Sequence, residues 1–349
     1  MPGPADPLWI ILAFAFGAVV GSFLNVVIWR MPRGESVVSP GSHCPHCHRA
    51  LVWWENIPLI SFLALRARCR TCHGAIRWRY FWVELITGLT FAGVIRLFGA
   101  GVDGAAYCIF AAALMAALAI DLEHYIIPDS LNTAALFAGF GRDAWGIATG
   151  KAGHELYWGW LPRSVGGAVL CAGVFVAIQA LGLALFRKDA MGDGDVKLAR
   201  AIGAMLPLPL ALVSFLFAIG AGAVIGGAMC LVRGNPRAAE TPETGSADGP
   251  ADGTMPEPTP WSVMAAAAAL YLTFSDLIIS AAAACRIGWA RAVVAWWEHS
   301  GDDEDHEFVP APTQVPFGPF MVLGAFLAIV FGDAAISWYL GWAGFGQGT

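Results

Sequence analysis

Charge is what this chain has least of. Only 13% of its 349 residues are Asp, Glu, Lys or Arg, against 57% hydrophobic, and the mean hydropathy is +0.62. So little charge excludes an ordinary water-soluble domain and points to an integral membrane protein. Other absences narrow the reading further. No Lys or Arg precedes the first apolar run, and that run passes from Gly17 to Asn25 without a clear cleavage site. A retained first span is therefore expected rather than a removed signal. No glycine-rich nucleotide loop and no inverted repeat of the transporter kind is visible. Nothing suggests nucleic acid as a partner, because the arginines cluster beside apolar runs, where they act as a topology signal.

What is there is a series of apolar runs of spanning length, at about 8–30, 80–99, 105–122, 130–148, 164–186, 196–213, 214–232 and 317–340. The expected fold is an all-α polytopic membrane protein of about eight transmembrane helices. The run at 196–213 is the weakest, since Pro207 and Pro209 interrupt it, and its merger with the neighbouring run is the open alternative. Five regions follow. They are a first span at 8–30, a polar segment at 31–79, a membrane core at 80–232, an insert at 233–315 and a last span at 316–340.

The polar segment carries Arg33, Arg49, Arg66, Arg68, Arg70, Arg77 and Arg79 against Glu35 and Glu55. By the positive-inside rule it is cytoplasmic, which puts both termini outside. It also holds Cys44-Pro45-His46-Cys47 and Cys69-Arg70-Thr71-Cys72. Two CxxC turns at this separation suit a structural, tetrahedral Zn site with Cys44, Cys47, Cys69 and Cys72 as ligands. The alternatives are two disulfides or free thiols, and a reducing cytosol disfavours disulfides. His43, His46, His48 and His73 lie close by, but four thiolates leave no vacancy for them. A closed site of this kind carries no catalysis. Cys108, Cys171, Cys230 and Cys285 are scattered in apolar runs and read as core residues.

Acids at span ends are the remaining chemistry. Asp121 falls on the last turn of the third run, followed by Glu123, His124, Pro128 and Asp129. Ala190-Met191-Gly192-Asp193-Gly194-Asp195-Val196-Lys197 falls at the start of the sixth. Ionisable groups at such places default to function. Gly192 and Gly194 permit tight backbone geometry and close substrate approach. Two carboxylates brought together share a proton and activate water, as in aspartic proteases. Asp121 is the catalytic candidate and Asp129 the cap of the next helix, with the reverse assignment open. Asp193 rivals Asp195. Lys197 either lowers a carboxyl pKa or snorkels to headgroups. Asn25 is interhelical glue or part of the site. Glu84, beside Arg77 and Arg79, reads as an interfacial ion pair. An ion relay through intramembrane carboxylates, or a non-enzymatic assembly protein, would account for the acids but not for the cysteine pairs.

The insert opens with a Pro-, Gly-, Ala-, Thr- and acid-rich stretch over 233–260 that reads as a disordered linker. An alanine-rich stretch over 261–298 reads as an amphipathic helix or hairpin on the inner membrane face, and 299–310 as acidic loop.

In this order, the motifs resemble those of the bacterial type IV prepilin peptidases. The residues are Gly21-Ser22-Phe23-Leu24-Asn25 with Arg30-Met31-Pro32, the paired CxxC turns enclosing Trp54-Glu55-Asn56-Ile57-Pro58-Leu59 and Ser61, and Arg79-Tyr80 with Val83-Glu84. Asp121 with Ile127-Pro128-Asp129, Gly192-Asp193-Gly194-Asp195-Val196-Lys197 and Pro316-Phe317-Gly318-Pro319 complete the set. The resemblance implies catalytic Asp121 and Asp195, with Gly192, Gly194, Lys197 and Asp129 in support and Asp193 at a variable position. It implies prepilin and pseudopilin substrates with a basic leader, cut at the cytoplasmic face of the bacterial inner membrane. It also implies N-methylation of the new terminus with S-adenosylmethionine, whose binding residues the motifs do not identify. The insert departs from the family, which usually has a short loop there; insertion at an exposed loop costs little.

Overall fold

The structure is a computed structural model that describes residues 6–151, 159–186, 191–233 and 316–343. Among them there is no strand, and the elements are helices joined by short turns. The first is α1 (Pro7–Arg30), then α2 (Ile60–Ala64), α3 (Arg79–Phe98), α4 (Val102–His124) and α5 (Asp129–Ala148). Then follow α6 (Arg163–Phe186), α7 (Asp193–Met205), α8 (Leu208–Arg233) and α9 (Gly318–Trp342). The expected linker, interfacial helix and acidic loop of the insert, together with Cys230 and Cys285, lie outside the residues whose side chains are described.

Six of the described helices are long and apolar enough to cross a membrane: α1, α3, α4, α6, α8 and α9. The all-helical, multi-pass class is as expected, and two of the eight expected spans, at 130–148 and 196–213, are not among these six. α5 has 20 residues, but Asn132, Arg142 and Asp143 dilute its apolar character. The run at 196–213 is not one helix. α7 has 13 residues, about 20 Å at 1.5 Å per residue, short of a bilayer core of about 30 Å. Pro207 sets this boundary, because it has no N–H and disfavours helical backbone in the residue before it. Its carbonyl then accepts the Ala211 N–H at 3.0 Å and starts α8, which runs unbroken through the expected 213/214 boundary.

The chain divides into two compact units, Met1–Ala168 with Arg200–Ala211, and Val169–Ala199 with Leu212–Thr349. In the first, α1 and α3 pack through glycine. A Cβ on Gly21 would lie 2.7 Å from the Glu84 Cα, and one on Gly17 would lie 2.8 Å from the Phe91 Cβ. Gly17 and Gly21 form a GxxxG pair, the small-residue spacing that lets membrane helices approach closely. Gly21→Leu should therefore force the helices apart. It is expected to lower the detergent-solubilised melting temperature by an amount worth about 1–3 kcal/mol, while Ala112→Leu, at a half-buried position, serves as a milder control.

α4 is the core of this unit, with Phe110, Leu114, Ala116 and Ile120 buried. α5 is tied in by polar pairs. Buried Asp143 accepts the Ser164 N–H at 2.9 Å and its hydroxyl at 2.8 Å, serving the start of α6. Asp103 pairs with Arg142 at 2.9 Å and with Lys151. In the second unit Phe175 packs on Phe215 with ring centroids 4.9 Å apart. Gly324 leaves no room for a Cβ against the Ser214 carbonyl, so α8 and α9 meet backbone to backbone.

Candidate metal centre and catalytic aspartates

The two CxxC turns are copies of one local fold. In the first, Cys44 N–H donates to the Arg49 carbonyl and His48 N–H to the Cys44 carbonyl, both at 2.9 Å. In the second, Cys69 N–H donates to Gly74 at 2.9 Å and His73 N–H to Cys69 at 3.0 Å. His48 and His73 each take the left-handed conformation with φ of 55°, in which His is several-fold enriched. A bridge closes each turn, His43 to Ala50 and Arg68 to Ala75. The histidines therefore make the turns, and the cysteines supply the chemistry.

The four sulfurs converge within 4.8 Å of one another. Cys44 and Cys72 Sγ are 3.7 Å apart, and Cys47 and Cys69 Sγ 4.0 Å. A disulfide needs about 2.05 Å, and all four are free thiols. Sulfurs 2.3 Å from one tetrahedral ion lie about 3.8 Å apart, so the residues fit zinc as they stand. The N–H groups of Cys72 and then Thr71 point at Cys69 and hold its thiol down to about 6, while at Cys72 the Gly74 N–H is outweighed by burial and the neighbouring thiols, which push the thiol up to about 11.

Glu55 braces this segment. It takes a forked pair from Arg49 at 2.7 and 2.8 Å and the Val52 N–H at 3.0 Å. The Arg49 hydrogen bond, then the backbone N–H of Val52, outweigh burial and hold its carboxyl below the usual range. A depressed carboxyl stabilises the fold above its unfolded pKa, and the gain disappears as pH falls through its folded value. The melting difference between wild type and Glu55→Gln is thus expected to be present at pH 7 and to shrink as pH falls below the ordinary glutamate range. A difference independent of pH would show that packing, not charge, is what Glu55 contributes.

Glu84 does not form the ion pair expected of it. Arg79 turns instead to Glu123 at 2.6 Å. Glu84 is buried, accepts the Leu59 N–H at 2.8 Å, and takes the Ser22 hydroxyl. Leu59 has φ of 61°, a costly conformation for a branched side chain. One carboxylate thus fastens the cysteine-bearing segment to both α1 and α3. Asn25, 1% exposed, makes the parallel link, donating to the Tyr80 carbonyl at 3.1 Å and to Gly21 at 3.3 Å. That is the glue reading of Asn25.

Asp121 lies one turn before the end of α4 and is 4% exposed. Tyr125, at φ of 58°, caps the helix by donating its N–H to the Asp121 carbonyl at 3.0 Å. Asp129 is not the cap of α5. Pro128 holds that position, and Asp129 opens the helix, where a carboxylate complements the positive end of the helix dipole. Asp195 lies in the first turn of α7, half-buried, and its N–H donates to the Gly192 carbonyl at 3.1 Å. Among the described residues, a Cβ on Gly192 would meet only the Asp195 Oδ2, at 4.0 Å. Asp193 is exposed and receives the Gln179 amide at 3.2 Å, which separates its role from that of Asp195. Lys197 is half-buried one turn further along α7. Asp121 belongs to the first compact unit and Asp195 to the second.

Comparison with known proteins agrees with this inventory. Residues 15–98 match the bacterial peptidase A24 N-terminal domain, and residues 108–227 match the type IV leader peptidase family. A prepilin leader peptidase/N-methyltransferase of Myxococcus xanthus is 34% identical over 95% of this chain and 93% of its own length. One of Burkholderia pseudomallei is 36% identical, over 64% of this chain and 77% of its own. A type 4 prepilin-like proteins leader peptide-processing enzyme of Escherichia coli is 35% identical, over 59% and 80%. No solved structure matches. Similarity along nearly the full length of one relative, with both family regions in order, places the chain: it belongs to the type IV leader peptidase family.

Proposed function

We propose that this chain is a membrane aspartic endopeptidase that removes the basic leader of type IV prepilins and pseudopilins, and that it then N-methylates the new terminus. The observation that carries this is the near full-length identity to a prepilin leader peptidase/N-methyltransferase. The buried carboxyl of Asp121 and the half-buried carboxyl of Asp195 are groups suited to the chemistry. The arginine-rich 31–79 segment argues for cleavage at the cytoplasmic face of the inner membrane.

Asp121 and Asp195 act as a pair that holds one proton between them. The ionised member takes a proton from water, whose oxygen adds to the scissile carbonyl carbon. The protonated member gives its proton to the carbonyl oxygen. Collapse breaks the C–N bond: the now protonated member gives its proton to the leaving nitrogen while the other takes one from a gem-diol hydroxyl, which restores the single shared proton. No covalent enzyme intermediate forms. Lys197 and Asp129 support the two carboxylates, and Gly192 and Gly194 let the substrate backbone come close. Cys44, Cys47, Cys69 and Cys72 would hold zinc, which stabilises the fold of the segment when bound. S-adenosylmethionine supplies the methyl group of the second reaction.

The test is mass spectrometry of a co-expressed prepilin. Loss of the leader mass is the expected first change, and a gain of one methyl group the second. An authentic prepilin left intact by wild type would overturn the reading and favour an ion relay or an assembly role.

A further inference from the structure

Asn132 has a side chain that the fold itself does not use. It is 3% exposed, and among the described residues neither its amide nitrogen nor its amide oxygen has a hydrogen-bond partner. Burying a carboxamide without partners is unfavourable, and buried polar groups in folded proteins are nearly always paired. Asn132 therefore destabilises the resting fold, and it does so beside the chemistry.

Its position follows from two helices of one compact unit. α4 ends at His124 and α5 begins at Asp129. Asp121 lies one turn before the first boundary and Asn132 one turn after the second, so both stand at one level of the hairpin. Each ends a buried stripe. Ala113, Leu114, Ala117 and Ile120 lead to Asp121 along α4, and Leu136 and Ala135 lead to Asn132 along α5. The two helices pack on each other. Asp121 and Asn132 are thus buried at the same end of the packed α4–α5 pair.

We propose that Asn132 binds the backbone of the substrate next to the scissile bond and holds it against Asp121. A carboxamide offers one donor face and one acceptor face, which is the complement of a single peptide group. The amide nitrogen would donate to a substrate carbonyl, and the amide oxygen would accept from a substrate N–H. Both unpaired atoms are then satisfied at once, and only when an extended peptide is present. A site built to hydrogen-bond its substrate loses it sharply when those groups are removed. The inference rests on the peptidase reading above.

The experiment pairs kinetics with stability. Purified wild type, Asn132→Leu and Asn132→Ala are assayed on a defined prepilin, and their melting temperatures are measured without substrate. Asn132→Leu, close in shape and without polar atoms, is expected to melt at or above the wild-type temperature, since the unpaired amide is gone. It is expected to lose about 10²–10³-fold in kcat/KM. Asn132→Ala should show the same kinetic loss whether or not the leucine variant folds, and Asn132→Gln should recover part of it. A variant that melts lower and cleaves normally would make Asn132 structural and overturn the proposal, as would wild-type kcat/KM in the alanine variant. Absence of cleavage by wild type would instead refute the peptidase reading.

Discussion

Cys47→Ser, or chelation of the purified protein, is expected to abolish zinc binding and unfold residues 31–79. Besides the Glu55 and Glu84 ties, the segment has only a small apolar core among the described residues. Its apolar contacts are mainly Phe62 against Trp78 and Phe81, with ring centroids 5.1 and 5.5 Å away. Trp53, Ile60 and Leu63 stay exposed. The two CxxC turns are joined by converging sulfurs and by no disulfide. Structural zinc contributes an apparent 10–16 kcal/mol, roughly, to small domains of this kind, and most of it is folding energy. Elemental analysis should give about one zinc per chain in wild type and close to none in the variant. Limited proteolysis should then cut between Gly34 and Arg77, where wild type resists. Because Glu84 fastens this segment to α1 and α3 through Leu59, cleavage activity should fall with zinc content. Full zinc occupancy in Cys47→Ser would refute the four-cysteine assignment.

Asp121→Asn and Asp195→Asn are each expected to reduce prepilin cleavage by roughly 10²–10⁴-fold or more, the range for general acid–base groups. Both variants should still insert and bind zinc. The substitutions keep shape and remove the titrating oxygen, so any loss reports proton transfer rather than packing. Asp121 is 4% exposed in an otherwise apolar stripe, so Asp121→Asn is not expected to lower the melting temperature. An asparagine needs no charge to be desolvated there. Asp193→Asn is the matched control. Its carboxylate is exposed and receives the Gln179 amide, and cleavage should stay within about two-fold of wild type, as for an exposed surface change.

The features legible in the sequence are those set by local spacing. The CxxC turns announce themselves because metal ligands must come from tight turns. Asp121 and Asp195 stand out because carboxylates at span ends are expensive. Hydropathy alone misplaced α7, because an averaged apolar run passes over Pro207, whose missing N–H ends one helix and whose carbonyl begins another. α5 formed as a helix of the expected length but with Arg142 and Asp143 serving polar pairs. The tie from Glu84 to Leu59 was not legible, since the partner is a backbone N–H distant in sequence and the nearer arginines looked like better mates. Asn132 was missed for a related reason. An asparagine in the first turn of a helix reads as ordinary helix-start chemistry, and only its burial reveals that nothing pairs with it.

The proposed mechanism makes Asp121 and Asp195 one catalytic pair. Initial cleavage rates of a defined prepilin by wild type, Asp121→Asn, Asp195→Asn and the double variant test it most directly. Groups that act as a unit are strongly non-additive. Both single variants should therefore sit at the background rate of the double variant. A single variant within about ten-fold of wild type, or a double variant whose loss equals the product of the two single losses, would contradict the pair.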